Sequence, residues 1–147
     1  MKKQQSGFTL VELIMVIVVL GILAAFALPR FADFGGDARR ASIEGAAGAV
    51  RSASAIVHSA WLAGGGTAAT VDLEGEPITI VNGYPDAAGI VEAAQISADE
   101  FAVEITTATG TTTITANGAT TATECRITYV EASAGAAPTI TMNTDDC

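Results

Sequence analysis

The chain is poor in the residues from which most enzymes and nucleic-acid binders are built. Its 147 residues include one histidine, two cysteines, one tryptophan, two tyrosines and five phenylalanines. A histidine-dependent triad could use only His58, and two Cys with one His cannot complete a tetrahedral N/S zinc site without carboxylates. Basic residues are scarce too: seven Lys and Arg face sixteen Asp and Glu, for a formal net charge of −9. That balance excludes a nucleic-acid partner, whose phosphates demand a basic footprint. No phosphate-binding loop, dinucleotide glycine fingerprint, nucleophile elbow or zinc-protease helix motif occurs. The chain therefore reads as a non-enzyme without cofactor or metal. What abounds is aliphatic and small: half the residues are apolar and the mean hydropathy is +0.43, far from the regime of intrinsic disorder. The length fits one domain.

The apolar residues are concentrated at one end. Leu13–Leu28 carries no charge and no strongly polar side chain. Counted from Phe8, the run is long enough to cross a bilayer as a helix, which takes about 20 residues. Met1–Gly7, short, basic and polar, stays cytoplasmic by the positive-inside rule. Three readings fit. A secretory signal peptide would use Lys2 and Lys3 as its basic head and Ala25-Phe26-Ala27 as its cleavage site. An ordinary membrane anchor is the second, and a segment with a use for Glu12 is the third. Glu12 and the length of the run oppose the signal peptide, because a carboxylate inside a membrane is expensive and functional by default. A cut between Gly7 and Phe8 would supply the use. The new α-amino group of Phe8 would lie one helical turn from Glu12. Amine and carboxylate, from one molecule or two neighbours, attract strongly in a low dielectric and would fix the axial offset of a helix bundle.

Gly7-Phe8-Thr9-Leu10-Val11-Glu12-Leu13, after a short basic leader and before a long apolar run, resembles the type IV prepilin signature. The resemblance implies that prepilin peptidase cuts after Gly7, that it methylates the new amine of Phe8, and that Glu12 serves assembly. It implies an α+β type IV pilin fold, a long N-terminal helix packed on a small antiparallel β-sheet domain. Residues 1–7 are then a leader, 8–28 the transmembrane and assembly helix, 29–63 its amphipathic second half and 64–147 the globular sheet domain. The implied partners are copies of the same chain, prepilin peptidase and the pilus assembly machinery. The implied location is the inner membrane, with a periplasmic C-terminal domain, and after assembly an extracellular filament.

Downstream, Pro29 lacks an N–H and Gly35-Gly36 lowers helix propensity. The helix is expected to kink at Pro29, Gly35 and Gly36 and to lose hydrogen bonds there in a fibre. Helical periodicity then resumes. Ile43, Val50 and Val57, with Ala47, Ser54 and Trp61 beside them, form one stripe that must face a globular domain. Arg40 and Glu44 form an i,i+4 pair off that stripe. Gly64-Gly65-Gly66 ends the helix. Strands are expected at Thr70–Leu73, Pro77–Val81, Phe101–Ile105, Thr111–Thr115, Cys125–Tyr129 and Pro138–Met142, with Asn82–Pro85 as a turn or loop and Gly89–Ile96 helical. One antiparallel sheet on the Ile43–Trp61 stripe accommodates them.

Cys125 and Cys147 are the only cysteines. In an exported chain they are expected to form a disulfide, on the outer face of the sheet domain, contributing roughly 3 kcal/mol in the chain-entropy model. A metal pair with Asp145 and Asp146 is the alternative, weakened by its mixture of soft and hard ligands. Arg30–Arg39, Val81–Pro85 and the Cys125…Asp146-Cys147 ending are similar to mannose-sensitive haemagglutinin (MSHA) pilins, which implies a major pilin used in attachment. A type II secretion pseudopilin is the alternative with the same N-terminus. His58 reads as a packed or half-exposed side chain. Trp61, Tyr84 and Tyr129 read as core rather than a sugar-binding surface. The threonines of 106–115 read as β-propensity and solubility, with their hydroxyls as candidate O-glycan sites.

Overall fold

The computed structural model describes residues 9–147, apart from the side chains of 27–33. From Leu10 to Ala63 the backbone is one α-helix, α1 (Leu10–Ala63). Pro29, Gly35 and Gly36 all lie within that helical assignment. Proline contributes no N–H, so the turn around it is held by its neighbours' bonds. The chain divides into two units at these glycines, Met1–Gly35 and Gly36–Cys147.

In the first unit, apart from Glu12 in the first turn, the side chains of α1 over residues 10–26 are apolar on every face and exposed. Leu10, Met15, Leu20 and Phe26 are each more than half exposed. Such a helix has no polar side to give to water and calls for an apolar partner all round. Among the described residues no helix is long and apolar enough to cross a membrane. The expected 8–28 span begins and ends outside the residues whose side chains are described.

In the second unit α1 is one-sided. Ile43, Ala47, Val50 and Val57 are fully buried, with Ala46, Ala53 and Ser54 nearly so, while Trp61 at the end of the stripe is only half-buried. The helix closes as the sequence foretells. Gly66 N–H reaches Trp61 O and Gly65 N–H reaches Leu62 O, each at 3.0 Å, with both glycines at positive φ. This is the Schellman arrangement, which occupies carbonyls that the last turn would leave open.

The remaining elements are β1 (Thr70–Leu73), β2 (Glu76–Val81), β3 (Tyr84–Pro85), α2 (Gly89–Ala93), β4 (Phe101–Thr106), β5 (Thr111–Ala116), β6 (Arg126–Val130) and β7 (Thr139–Asn143). They form two antiparallel sheets, β1-β2-β3 and β4-β5-β6-β7, where one was expected. The break has a local cause. Asn82 and Gly83, at φ 52° and 89°, make a two-residue reversal of the kind that suits the twist of a hairpin. The strand that follows ends after two residues at Pro85, which cannot donate to a ladder, and α2 intervenes. So the stretch read as loop is a turn plus a third strand.

The core lies between α1 and the four-stranded sheet. Period-2 alternation sends Ile127 and Tyr129 inward from β6, with Cys125 just before it on the same face, and Thr112, Ile114 and Ala116 inward from β5. Ile114 pairs with Ile127 and Thr112 with Tyr129 in register. Phe101 and Ile90 complete the cluster. Each fully buried large aliphatic contributes about 1.5–3 kcal/mol. Thr112 departs from the solubility reading of its run: it is fully buried, and its hydroxyl donates to Ala87 O.

Candidate functional site

The first turn of α1 is built around Glu12. Thr9 precedes the helix, and its carbonyl accepts the first helical bond, from Leu13 N–H at 3.2 Å. Its hydroxyl accepts Glu12 N–H at 3.2 Å. In return Glu12 Oε2 accepts the Thr9 backbone N–H at 2.9 Å and the Thr9 hydroxyl at 2.8 Å. This reciprocal arrangement is a capping box, which serves two of the amide donors that a helix start leaves unpaired. Sequence reasoning singled out Glu12 and missed Thr9, although the Thr-x-x-Glu spacing before an apolar run was the available signal. Both described bonds fall on one carboxylate oxygen. Gly7 and Phe8 lie outside the described residues.

At the other end of the chain Cys125 and Cys147 are joined, with Cα atoms 4.7 Å apart and a sequence separation of 22. The bridge does not sit on the outer face of the sheet, as expected, but against the core: Cys125 is fully buried and Cys147 packs on the same cluster. The reason is strand parity, because Cys125 shares its face with Ile127 and Tyr129. Two arginines of α1 hold the tail in place. Arg39 Nε donates to Cys147 O, and Arg40 donates to Thr144 O through its Nη2 at 2.8 Å and Nε at 3.3 Å. Arg40, expected to pair with Glu44, is thus turned to the C-terminal segment. Asp146 accepts the Thr121 hydroxyl at 2.7 Å, and among the described residues no group of His, Cys, Asp or Glu is placed to hold a metal.

The aromatic residues divide. Tyr129 is fully buried and donates to Pro85 O at 2.6 Å. Burial, helped by the nearby Glu131 charge, pushes its phenol well above the usual tyrosine range. His58 stacks on Tyr84, ring centroids 4.1 Å apart and planes 4° from parallel, and the Trp61 ring centroid lies 5.9 Å from that of His58. Trp61 Nε1 donates to Ala68 O at 3.0 Å. Trp61, Tyr84 and Tyr129 therefore do not form one exposed surface. Of the positions singled out in the sequence, Cys125 and Cys147 are brought together, Glu12 joins Thr9, and Pro29, Gly35 and Gly36 stay in the helix between.

Comparison with known proteins places the N-terminal motif. The family described as the prokaryotic N-terminal methylation motif matches residues 2–28. The chain is 55% identical over 51 residues to the type IV narrow pilus major component PilA5 of Thermus thermophilus, covering 35% of this chain and 44% of that protein. It is 56% identical over 34 residues to the type IV major fimbrial protein FimA of Dichelobacter nodosus, covering 23% of this chain and 21% of that one. The chain thus spans less than half the length of these curated relatives. No solved structure matches it.

Proposed function

We propose that this chain is a type IV pilin and the major structural subunit of a type IV pilus, a reading supported by its methylation motif and by its N-terminal similarity to type IV pilus subunits. The observation that carries the proposal is the conjunction of Gly7-Phe8 and Glu12 with a helical stretch, residues 13–26, that is apolar on every face. Prepilin peptidase removes residues 1–7 and methylates Phe8. The apolar helix holds the subunit in the inner membrane and then bundles with its copies as the fibre core, while the acidic sheet domain faces outward. Glu12 marks the register. Its Oε2 is engaged by Thr9, and its second oxygen is left to the Phe8 ammonium of a neighbouring copy. Packing of the greasy helices is nearly indifferent to sliding, whereas an ion pair in a low dielectric is satisfied at one axial stagger.

The finer assignment is an MSHA-type pilus used in surface attachment, resting on Arg30–Arg39, Val81–Pro85 and the Cys125–Cys147 ending. The disulfide supports a pilin over a type II secretion pseudopilin. The test is to shear cells and identify the bulk protein of the released filaments, with intact mass and N-terminal sequencing. The expected result is this chain beginning at methylated Phe8. A chain beginning at Leu28 restores the ordinary signal peptide, and filaments of another protein overturn the major-subunit reading.

A further inference from the structure

Apart from the motif and the tail clasp, the second unit carries a cleft of about 310 Å³ where α1, β3 and the start of β7 meet. Arg51, Ala55 and His58 line it from α1, Tyr84 from β3, and Pro138 and Ile140 from the β7 side. None of its lining residues is acidic, in a chain with sixteen Asp and Glu. The larger cleft on the same unit, about 420 Å³, is by contrast rimmed by Glu74, Glu76 and Glu92. A carboxylate is attracted by the first and repelled by the second.

Two polar groups of the first cleft are uncommitted. Among the described residues Arg51 makes no hydrogen bond or ion pair, and the Tyr84 hydroxyl makes no hydrogen bond. His58 Nδ1 lies 2.8 Å from Gly83 O. A carbonyl only accepts, so Nδ1 carries the proton, and in the neutral ring Nε2 is a bare acceptor. The imidazole cannot turn away, because it is stacked on Tyr84 and backed by Trp61. Gly83 is fixed in turn. It sits at φ +89°, and a Cβ there would stand 2.9 Å from the Trp61 ring. The cleft therefore presents a planar cation free to pair, an acceptor and a phenol whose stacked rings are held before any ligand arrives, and an apolar wall.

We propose that this cleft binds one acidic monosaccharide unit, a hexuronic acid, of a surface polysaccharide. The carboxylate pairs with the Arg51 guanidinium, whose forked donors match it in geometry. Ring hydroxyls meet His58 Nε2 and the Tyr84 hydroxyl, and the apolar face of the sugar lies against Pro138 and Ile140. The volume is at the small end of ligand pockets, about 300 Å³ and upward, which suits a single ring. The proposal goes beyond the pilus reading and does not require it.

The test is titration of the full chain, purified in detergent micelles, with glucuronate and with glucose as the neutral control, followed by saturation-transfer NMR. Glucuronate should bind saturably and at least tenfold more tightly than glucose. Arg51→Gln should bring glucuronate down to the level of glucose, with circular dichroism and Tm unchanged. Tyr84→Phe should weaken both sugars several-fold without altering their ratio. Absence of saturable binding overturns the proposal, as does glucuronate binding untouched by Arg51→Gln. Loss of filaments in Arg51→Gln with no sugar binding by the parent chain assigns the guanidinium to a second copy instead, and the sugar site falls.

Discussion

At the scale of single residues, Glu12 has two tasks that substitutions separate. Within one chain it closes the capping box with Thr9. Between chains it is proposed to pair with Phe8. Thr9→Val keeps the carboxylate and removes the hydroxyl, so the helix start should fray while filaments still form. Glu12→Val removes both partners. It should leave membrane insertion and leader cleavage largely intact and strongly reduce filaments. Fractionation of cells, comparing processed subunit with sheared filament, distinguishes these outcomes: normal filament yield from Glu12→Val defeats the register role, and accumulated precursor moves Glu12 to peptidase recognition. Tyr129 is a second informative residue. Tyr129→Phe leaves Pro85 O without its partner in a buried place, at a cost of about 1–3 kcal/mol, read as a lower Tm. The phenol is held above its ordinary value, so the neutral form is the one the fold prefers. That contribution is present in full at neutral pH and is lost as the pH rises past the ordinary tyrosine value of about 10. Alkaline melting should therefore steepen above that pH in the parent chain and not in Tyr129→Phe.

At the scale of elements, the C-terminal segment is held by three devices at once: the Cys125–Cys147 bond, the Arg39 and Arg40 bonds to its carbonyls, and β7 on the edge of the sheet. Cys147→Ser should destabilise the subunit by about 2–4 kcal/mol, measured by thermal unfolding with and without reductant. The parent chain in reductant should melt like the variant; equal melting of oxidised parent and variant would show the bond to be ornamental. The elements themselves were largely legible. The stripe from Ile43 to Val57 and the alternation Cys125-Ile127-Tyr129 follow from one period, 3.6 or 2, the triple glycine ends the helix by its chemistry, and the structure honours all three. What escaped was set by pairings distant in sequence. Tyr84-Pro85 is a strand only because Val81 and Ile80 offer it a partner. The inward placement of the disulfide follows from strand parity, which was read for the strand and not applied to its first cysteine. Arg40 is diverted from its helical neighbour by a carbonyl more than a hundred residues away. At the candidate site Glu12 is legible from an ordered motif and from its charge in an apolar run, whereas the role of Thr9 is a local capping one carried by the Thr-x-x-Glu spacing alone.

At the scale of the whole molecule, the chain is a long helix followed by antiparallel sheets, an α+β arrangement consistent with the one that the prepilin resemblance implies, and it divides between Gly35 and Gly36. Two demands meet at that division. The subunit is helical there, yet we propose that in the fibre the stretch from Pro29 to Gly36 opens, so that the apolar helices pack at one angle and the sheet domains at another. Proline supplies one missing bond, and each glycine costs a helix about 1 kcal/mol relative to alanine. The opening is therefore inexpensive by design of sequence. Gly36→Ala tests this without steric confusion, since the added Cβ would meet only the Cys147 backbone carbon at 3.6 Å, an ordinary contact. The substitution should raise subunit stability by about 0.5–1 kcal/mol, seen as a Tm higher by a few degrees. It should at the same time lower filament yield, because the same increment now opposes the opening. A higher Tm with undiminished filaments would show that the helix stays closed through assembly. A filament density with regular helix from Leu23 through Arg40 would lead to the same conclusion.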